Sequence, residues 1–375
     1  MLESHKTLIY KKAKPDEERG QRMFVLAPQV KLFATTGSEE IMGSIFEGLK
    51  RRLSPTVETV RGNTYVKRFS NDNLLVQVDD VCGKIVFVIH TQVPPVNDRL
   101  FELLLLLDAI KGTSPAAVWV IFPYFPYARS DKKNEPRISV GGRLLADIIS
   151  TIGVNGIIIL DPHDSHLCQY FHPSADDVSA IYLLADYVKR EFIAKSSNPK
   201  NDFMVVFPDS GSVSRYEKLA GLLGLDKAYI NKEREDDSEK PKVHGISGNV
   251  RDKTCLMPDD EICTGGTLDG DTRLLMEDGA RSVIPMAAHG PLSILNEASQ
   301  KIEWTGVIEK LESNPSIKQI IVTNSIPISH KLGPQTKFRV LPVQFLIAEA
   351  IARTVMGKPL SELYELSNVG LYREG

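Results

Sequence analysis

The stretch Thr254-Cys-Leu-Met-Pro-Asp-Asp-Glu-Ile-Cys-Thr-Gly-Gly-Thr267 combines residue types and spacing that can do chemistry. An apolar run ends on two adjacent carboxylates, Asp259 and Asp260, and passes into a turn of Thr264, Gly265, Gly266 and Thr267. Backbone N–H groups at a glycine turn ahead of a helix make an anion site, and a helix is predicted to begin near Asp271. The Thr264 and Thr267 hydroxyls add donors, while the carboxylates can accept hydrogen bonds from the vicinal hydroxyls of a sugar. Carboxylates beside an anion cradle suit a sugar phosphate better than a bare nucleotide phosphate. The plainer alternative is an acidic β-turn closing a strand. Pro258 is expected only at a strand's end or edge, because it has no N–H to donate.

Three other segments carry candidate groups. His163 follows an apolar run, where a histidine can simply cap a backbone group. Phe207-Pro-Asp-Ser-Gly-Ser-Val-Ser-Arg215 is a second strand-to-helix turn. Its Gly211 and small serines allow close backbone approach to a diphosphate, and a simple helix N-cap is the alternative. Lys232 and Arg234 open a charge-dense stretch running to Ser247, which is expected to be a mobile loop rather than a packed element. By composition alone they are a solvated basic pair among acids.

The elements that must position these groups are legible from patterning. Short β-branched runs at Ile85–Ile89, Val118–Phe122, Gly156–Leu160, Met204–Phe207, Thr254–Met257, Val283–Ala287 and Ile320–Val322 are predicted strands. Helical stretches at Leu100–Ile110, Gly142–Thr151, Ile181–Phe192 and Ser214–Leu223 separate many of them. The first should be capped by Asn97 or Asp98. Phe338–Tyr364 adds a strand and a long helix, Val343–Val355. This alternation predicts an α/β fold of mainly parallel sheets flanked by helices, with ligands at the carboxyl ends of strands. The pattern occurs twice, giving one domain over 30–180 and a second over 181–375, after an extension of residues 1–28. With 375 residues and 42% hydrophobic content, each half can bury a core. A net charge of −3 lacks the basic footprint of a nucleic-acid binder. No apolar stretch is long enough to span a membrane, and the N-terminus lacks the apolar core of a signal peptide. The four cysteines form no CxxC pair, which disfavours a zinc site or disulfide framework and fits a cytoplasmic location.

The carboxylate–glycine motif by itself fits phosphoribosyltransferases and ribose-phosphate pyrophosphokinases alike. The rest of the chain resembles the second family. Phe122-Pro-Tyr-Phe-Pro-Tyr-Ala-Arg129 resembles its nucleotide-contacting segment. Pro94–Asp98, Asp161–Asp164, Phe207–Gly211, Ala288–Ser293 and Val322–Pro327 follow in the family's order, as does the helix around Ala348–Ala350. The resemblance covers residues 30 to 368.

It implies two tandem type I phosphoribosyltransferase-like domains and transfer of a diphosphoryl group from Mg-ATP to ribose 5-phosphate. Asp259, Asp260, Cys263 and the Thr264, Gly265, Gly266, Thr267 turn would hold the sugar phosphate. His163 and Asp209 would orient Mg2+ and the triphosphate, and Lys232 and Arg234 would be the catalytic cations. Arg129 would lie against adenine, opposite Phe69 from a neighbouring subunit of a homo-oligomer, a dimer that assembles further to a hexamer. The chain departs from the family pattern at three places. Asn71 and Asn73 stand where both acids of Phe-x-Asp-x-Glu are expected, which puts donor preference in question. Ser212 replaces a glycine. Cys263 replaces an aspartate, where a small residue filling a tight turn is the plain alternative. A non-catalytic regulatory subunit of the same family, or a phosphoribosyltransferase, are the alternative readings.

Overall fold

A computed structural model describes residues 29–53, 57–133, 135–233, 242–365 and 370. The strands are β1 (Gln29–Ala34), β2 (Glu58–Arg61), β3 (Thr64–Arg68), β4 (Leu74–Val78), β5 (Ile85–Thr91), β6 (Ala117–Tyr124), β7 (Gly156–Leu160), β8 (Asp176–Val178), β9 (Phe203–Phe207), β10 (Lys227–Glu233), β11 (Lys242–Ser247), β12 (Thr254–Glu261), β13 (Ser282–His289), β14 (Ile294–Asn296), β15 (Lys301–Glu303), β16 (Ile320–Thr323) and β17 (Phe338–Leu341). The helices are α1 (Glu39–Leu53), α2 (Val96–Lys111), α3 (Gly141–Ile152), α4 (Ile181–Glu191), α5 (Pro199–Asp202), α6 (Ser210–Leu223), α7 (Gly266–Glu277), α8 (Thr305–Ser313) and α9 (Gln344–Met356).

The strands build two main sheets. The first, ordered β2-β1-β5-β6-β7-β8, is parallel throughout. The second, ordered β11-β10-β9-β12-β13-β16-β17, is parallel except for the antiparallel β10–β11 pair. The expected α/β class with parallel sheets and flanking helices is therefore observed. Two hairpins, β3–β4 and β14–β15, stand apart from the sheets.

Alternation along the strands feeds different cores, because successive side chains point to opposite faces. In β5, Val86 and Val88 face an outer core with α2 and α3, while Phe87 and Ile89 face a central one. In the second sheet, Met204 and Val206 face an outer core with α7 and α8, while Val205 and Phe207 face that same central core. Helices α1, α4, α6 and α9 supply Ile45, Leu184, Leu219 and Ile351 to it, so the two sheets share one hydrophobic interior. Helix α1 packs directly on α9. A Cβ added at Gly48 would sit 3.1 Å from that of Ala348, and Arg52 pairs with Glu349 at 2.9 Å.

Several expectations need correction. Helix α2 starts at Val96 with Pro95 at its N-cap and no side-chain cap, so neither Asn97 nor Asp98 caps it. The first turn of that helix already contains both residues. Helix α7 starts at Gly266, a full turn before Asp271. Pro258 lies inside a central strand, where β9 pairs with β12 only as far as Leu256. The missing N–H thus falls where one flank of the ladder has already ended. The stretch Lys232–Ser247 is not loop throughout: Lys232 and Glu233 finish β10, and Lys242–Ser247 forms β11 against it. This ribbon runs out from the sheet edge on backbone hydrogen bonds, so its charged composition does not prevent strand pairing.

Candidate active site

Strand β12 ends on Asp259, Asp260 and Glu261 and hands the chain through Ile262 and Cys263 to the glycine turn. Gly265 is the N-cap of α7 with φ +68°, a left-handed conformation natural to glycine. A Cβ there would meet Leu311 at 3.1 Å. The first-turn N–H groups of α7 have no intrahelical carbonyl partners, and the Gly266 N–H donates to Thr264 Oγ1 at 3.3 Å.

A cleft of about 270 Å³ opens on this turn. It gathers Asp209, Asp259, Asp260, Cys263 and Thr264 to Thr267 from the second half of the chain, with Arg129 and His163 from the first. Those predicted residues are brought together. Phe69, Asn71 and Asn73 are not: they occupy the β3–β4 turn, outside the cleft lining, where the Asn71 side chain accepts from the Asn73 N–H at 3.3 Å. Lys232 lies in β10, and Arg234 lies outside the described residues, as do residues 1–28.

The dyad is electrostatically asymmetric. Asp260 accepts from His163 Nδ1 at 2.6 Å and from Arg215 Nη1 at 2.9 Å. Burial pushes the Asp260 carboxyl upward, but the His163 hydrogen bond and the Arg215 charge outweigh it and hold it below the usual range. Burial and the neighbouring Asp260 push Asp259 up to about 8. Asp259 is therefore the member of the dyad that holds its proton more readily, and Asp260 the one favoured as a carboxylate. Arg215 also donates to the His163 carbonyl at 2.5 Å. The loop carrying His163 is braced from below, where His289 Nε2 donates to the Asp161 carbonyl at 3.0 Å and the Asp161 carboxylate accepts from Ala180 N at 2.7 Å.

Asp209 caps α6, with Oδ1 accepting from Ser212 N at 2.8 Å, so the N-cap reading of that turn holds. Ser212, which stands in place of the glycine, completes a capping box through its hydroxyl. Cys263 is half-buried, and its Sγ donates to the Ser293 carbonyl at 3.5 Å. Burial raises its thiol pKa, which keeps it protonated and a weak nucleophile.

Two side chains that line the cleft were missed from sequence. Arg215 ends a segment read only for its glycine and serines. Glu261 looks like a third acid in a run, yet its carboxylate accepts from Tyr124 Oη at 2.7 Å and from Arg129 Nη1 at 3.0 Å. Nothing local in sequence marks a partner that lies more than 130 residues away.

The fold and the cleft define a two-sheet α/β protein with an acid-flanked glycine turn at the carboxyl end of its strands. Residues 30–153 match the N-terminal domain of ribose phosphate pyrophosphokinase, and residues 227–365 match the phosphoribosyl synthetase-associated domain. The chain is 33% identical to a ribose-phosphate pyrophosphokinase of Clostridium tetani over 86% of its own length and 96% of that protein's. It is 34% identical to the Bacillus caldolyticus protein of the same name, covering 90% and 98% of the two chains. The crystal structure of phosphoribosylpyrophosphate synthetase from Mycobacterium smegmatis superposes with a TM-score of 0.75 at 32% identity, over 88% of this chain and 99% of that one. The chain belongs to the ribose-phosphate pyrophosphokinase family.

Proposed function

We propose that this protein is a ribose-phosphate pyrophosphokinase. It transfers the β,γ-diphosphoryl group of Mg-ATP to the C1 hydroxyl of ribose 5-phosphate. The observation that carries this reading is the single cleft in which Arg129 and His163 of one half meet the Asp259–Thr267 cradle of the other. The 5-phosphate sits on the N–H groups of the Thr264–Thr267 turn, and Asp259 and Asp260 grip the ring hydroxyls. The C1 oxygen forms a bond to the β-phosphorus as the bond from that phosphorus to the α-phosphate oxygen breaks. AMP leaves with the electron pair, and the hydroxyl proton passes to solvent. No side chain is required as general base where alignment and electrostatics lower the barrier. Arg129 contacts the nucleotide, and Lys232 and Arg234 neutralise charge on the moving group.

Mg2+ fits this cleft. The described residues contain no cluster of three or more metal-ligating side chains. Mg2+ prefers oxygen and would be held mainly by substrate phosphates and water, with one or two protein groups. His163 donates Nδ1–H to a carboxylate, which orients Nε2 as a ligand, and Asp209 supplies oxygen. When bound, the ion would offset phosphate charge.

The chain divides near residue 180, after the last strand of the first sheet, and works as a homo-oligomer, a dimer that assembles further to a hexamer. Phe69 lies outside its own cleft on a hairpin that exposes Tyr65 and Leu75, so a neighbour's copy is the one that completes the nucleotide pocket. Exposed Phe101, Leu144 and Ile148 on α2 and α3 offer a second apolar surface for subunit contact. Among the described residues no helix is long and apolar enough to cross a membrane, and all four cysteines are free thiols; the reading places the protein in the cytoplasm. AMP release from Mg-ATP, with and without ribose 5-phosphate, tests the reading. Release that requires the sugar is expected. Its absence under both conditions would indicate a non-catalytic subunit.

A further inference from the structure

The carboxylate of Glu261 is fully used by residues of the other half of the chain. Oε2 accepts from Tyr124 Oη at 2.7 Å, and Oε1 accepts from Arg129 Nη1 at 3.0 Å. The Glu261 side chain is 8% exposed, whereas the Arg129 side chain is 65% exposed. Glu261 cannot easily move. It is the last residue of β12, is aligned with His289 of β13, and is followed by Ile262, whose N–H bonds the His289 carbonyl at 3.0 Å. Tyr124 is held in turn, with its ring 4.6 Å from that of His289. A rigid strand end thus fixes one corner of the Arg129 guanidinium. No other hydrogen bond from the Arg129 side chain is present among the described residues, so its remaining N–H groups and planar face stay open to the cleft.

We infer that Glu261 is the positioning residue for the nucleotide-contacting arginine, anchoring Arg129 from the same strand that grips the sugar. This rests on the proposed function, which places Arg129 against the nucleotide. An arginine held by one edge loses less side-chain freedom when a ligand arrives than one swinging free. The neighbouring Asp260 does the corresponding job for His163, so consecutive acids of one strand each steady a nucleotide-side group from the other half.

The test is a double-substitution cycle on the full chain, read by calorimetric titration with ATP and magnesium chloride and by the KM of each substrate. Glu261→Ala should weaken ATP about tenfold and leave the KM for ribose 5-phosphate within about threefold. Glu261→Gln keeps an oxygen for Arg129 and a partner for Tyr124, and should recover most of the loss. In an Arg129→Ala background, Glu261→Ala should change ATP affinity by less than about twofold. If Glu261→Ala does not fold, Glu261→Leu refills the volume and takes its place. Losses that multiply in the double variant, or equal weakening of both substrates, overturn the inference. The titration needs no turnover, so it decides on Glu261 even if no AMP is released, a result that would count against the proposed function alone. A wild-type protein that binds no ATP overturns both.

Discussion

Asp259 stores a cost that pH reveals. Its carboxyl, pushed up to about 8 by burial and by Asp260, keeps a proton in the native state that the unfolded chain gives up near pH 4. Native stability from this group is complete below about pH 4 and is lost as pH climbs to about 8. Asn mimics the neutral carboxyl and has no such loss. Asp259→Asn should therefore match the wild type in Tm at pH 4 and exceed it at pH 8, while binding ribose 5-phosphate more weakly. Thermal melts across that range check this, and parallel curves would refute it. The dyad and glycine turn were legible in sequence because their chemistry is contiguous. Arg215 and Glu261 were not, because each matters through a partner brought in by the fold. Glu261 sits beside two acids that already had an explanation, and its own task appears only when β6 and β12 are juxtaposed.

Among the elements, the turn into α7 and the β10–β11 ribbon make separate claims. Gly265 adopts φ +68° against Leu311, so Gly265→Ala meets both backbone strain and a contact at 3.1 Å. A cost of about 1–2 kcal/mol should appear, partly as lost stability and partly as a several-fold rise in the ribose 5-phosphate KM. An unchanged KM and Tm would mean that the turn relaxes freely. Lys232 lies toward the outer end of β10, opposite Val243, and Arg234 lies outside the described residues. Replacing either with alanine should lower kcat about a hundredfold, or about 2.7 kcal/mol, with little change in either KM. Steady-state kinetics would expose the opposite pattern. Most buried strands and helices could be read from β-branched runs and helical spacing. The ribbon was not read, because its apolar alternation, Ala228 and Ile230 in β10 with Ile246 in β11, is short and is bordered by a charge-dense sequence. The start of α2 was misplaced because Pro95, an unusual cap, offers no side-chain oxygen to recognise.

For the molecule as a whole, the repeat visible in sequence conceals a shared interior. Two sheets suggested two bodies, each with its own core. Instead α1, α4, α6 and α9 fill one central layer, and α1 of the first half lies on α9 of the second. Sequence patterning marks an apolar helix face without saying which sheet covers it, so this joint was not legible. Calorimetry should show one cooperative unfolding transition instead of two, and a chain cut near residue 180 should yield halves that do not fold when expressed separately. Two resolved transitions in the intact chain would contradict a common interior.

That middle layer also decides how substrates get in. A cleft between two lobes invites the picture of jaws swinging about a hinge, yet here the back of the jaws is welded by packed helices and by the Arg52–Glu349 pair. Opening by lobe rotation would tear apolar surface into water. Traffic must instead pass through movements at the rim, among short segments such as the glycine turn and the β10–β11 ribbon. Small-angle scattering should then record the same radius of gyration within each assembly state, with and without saturating nucleotide. A marked contraction on binding would show that the weld gives way.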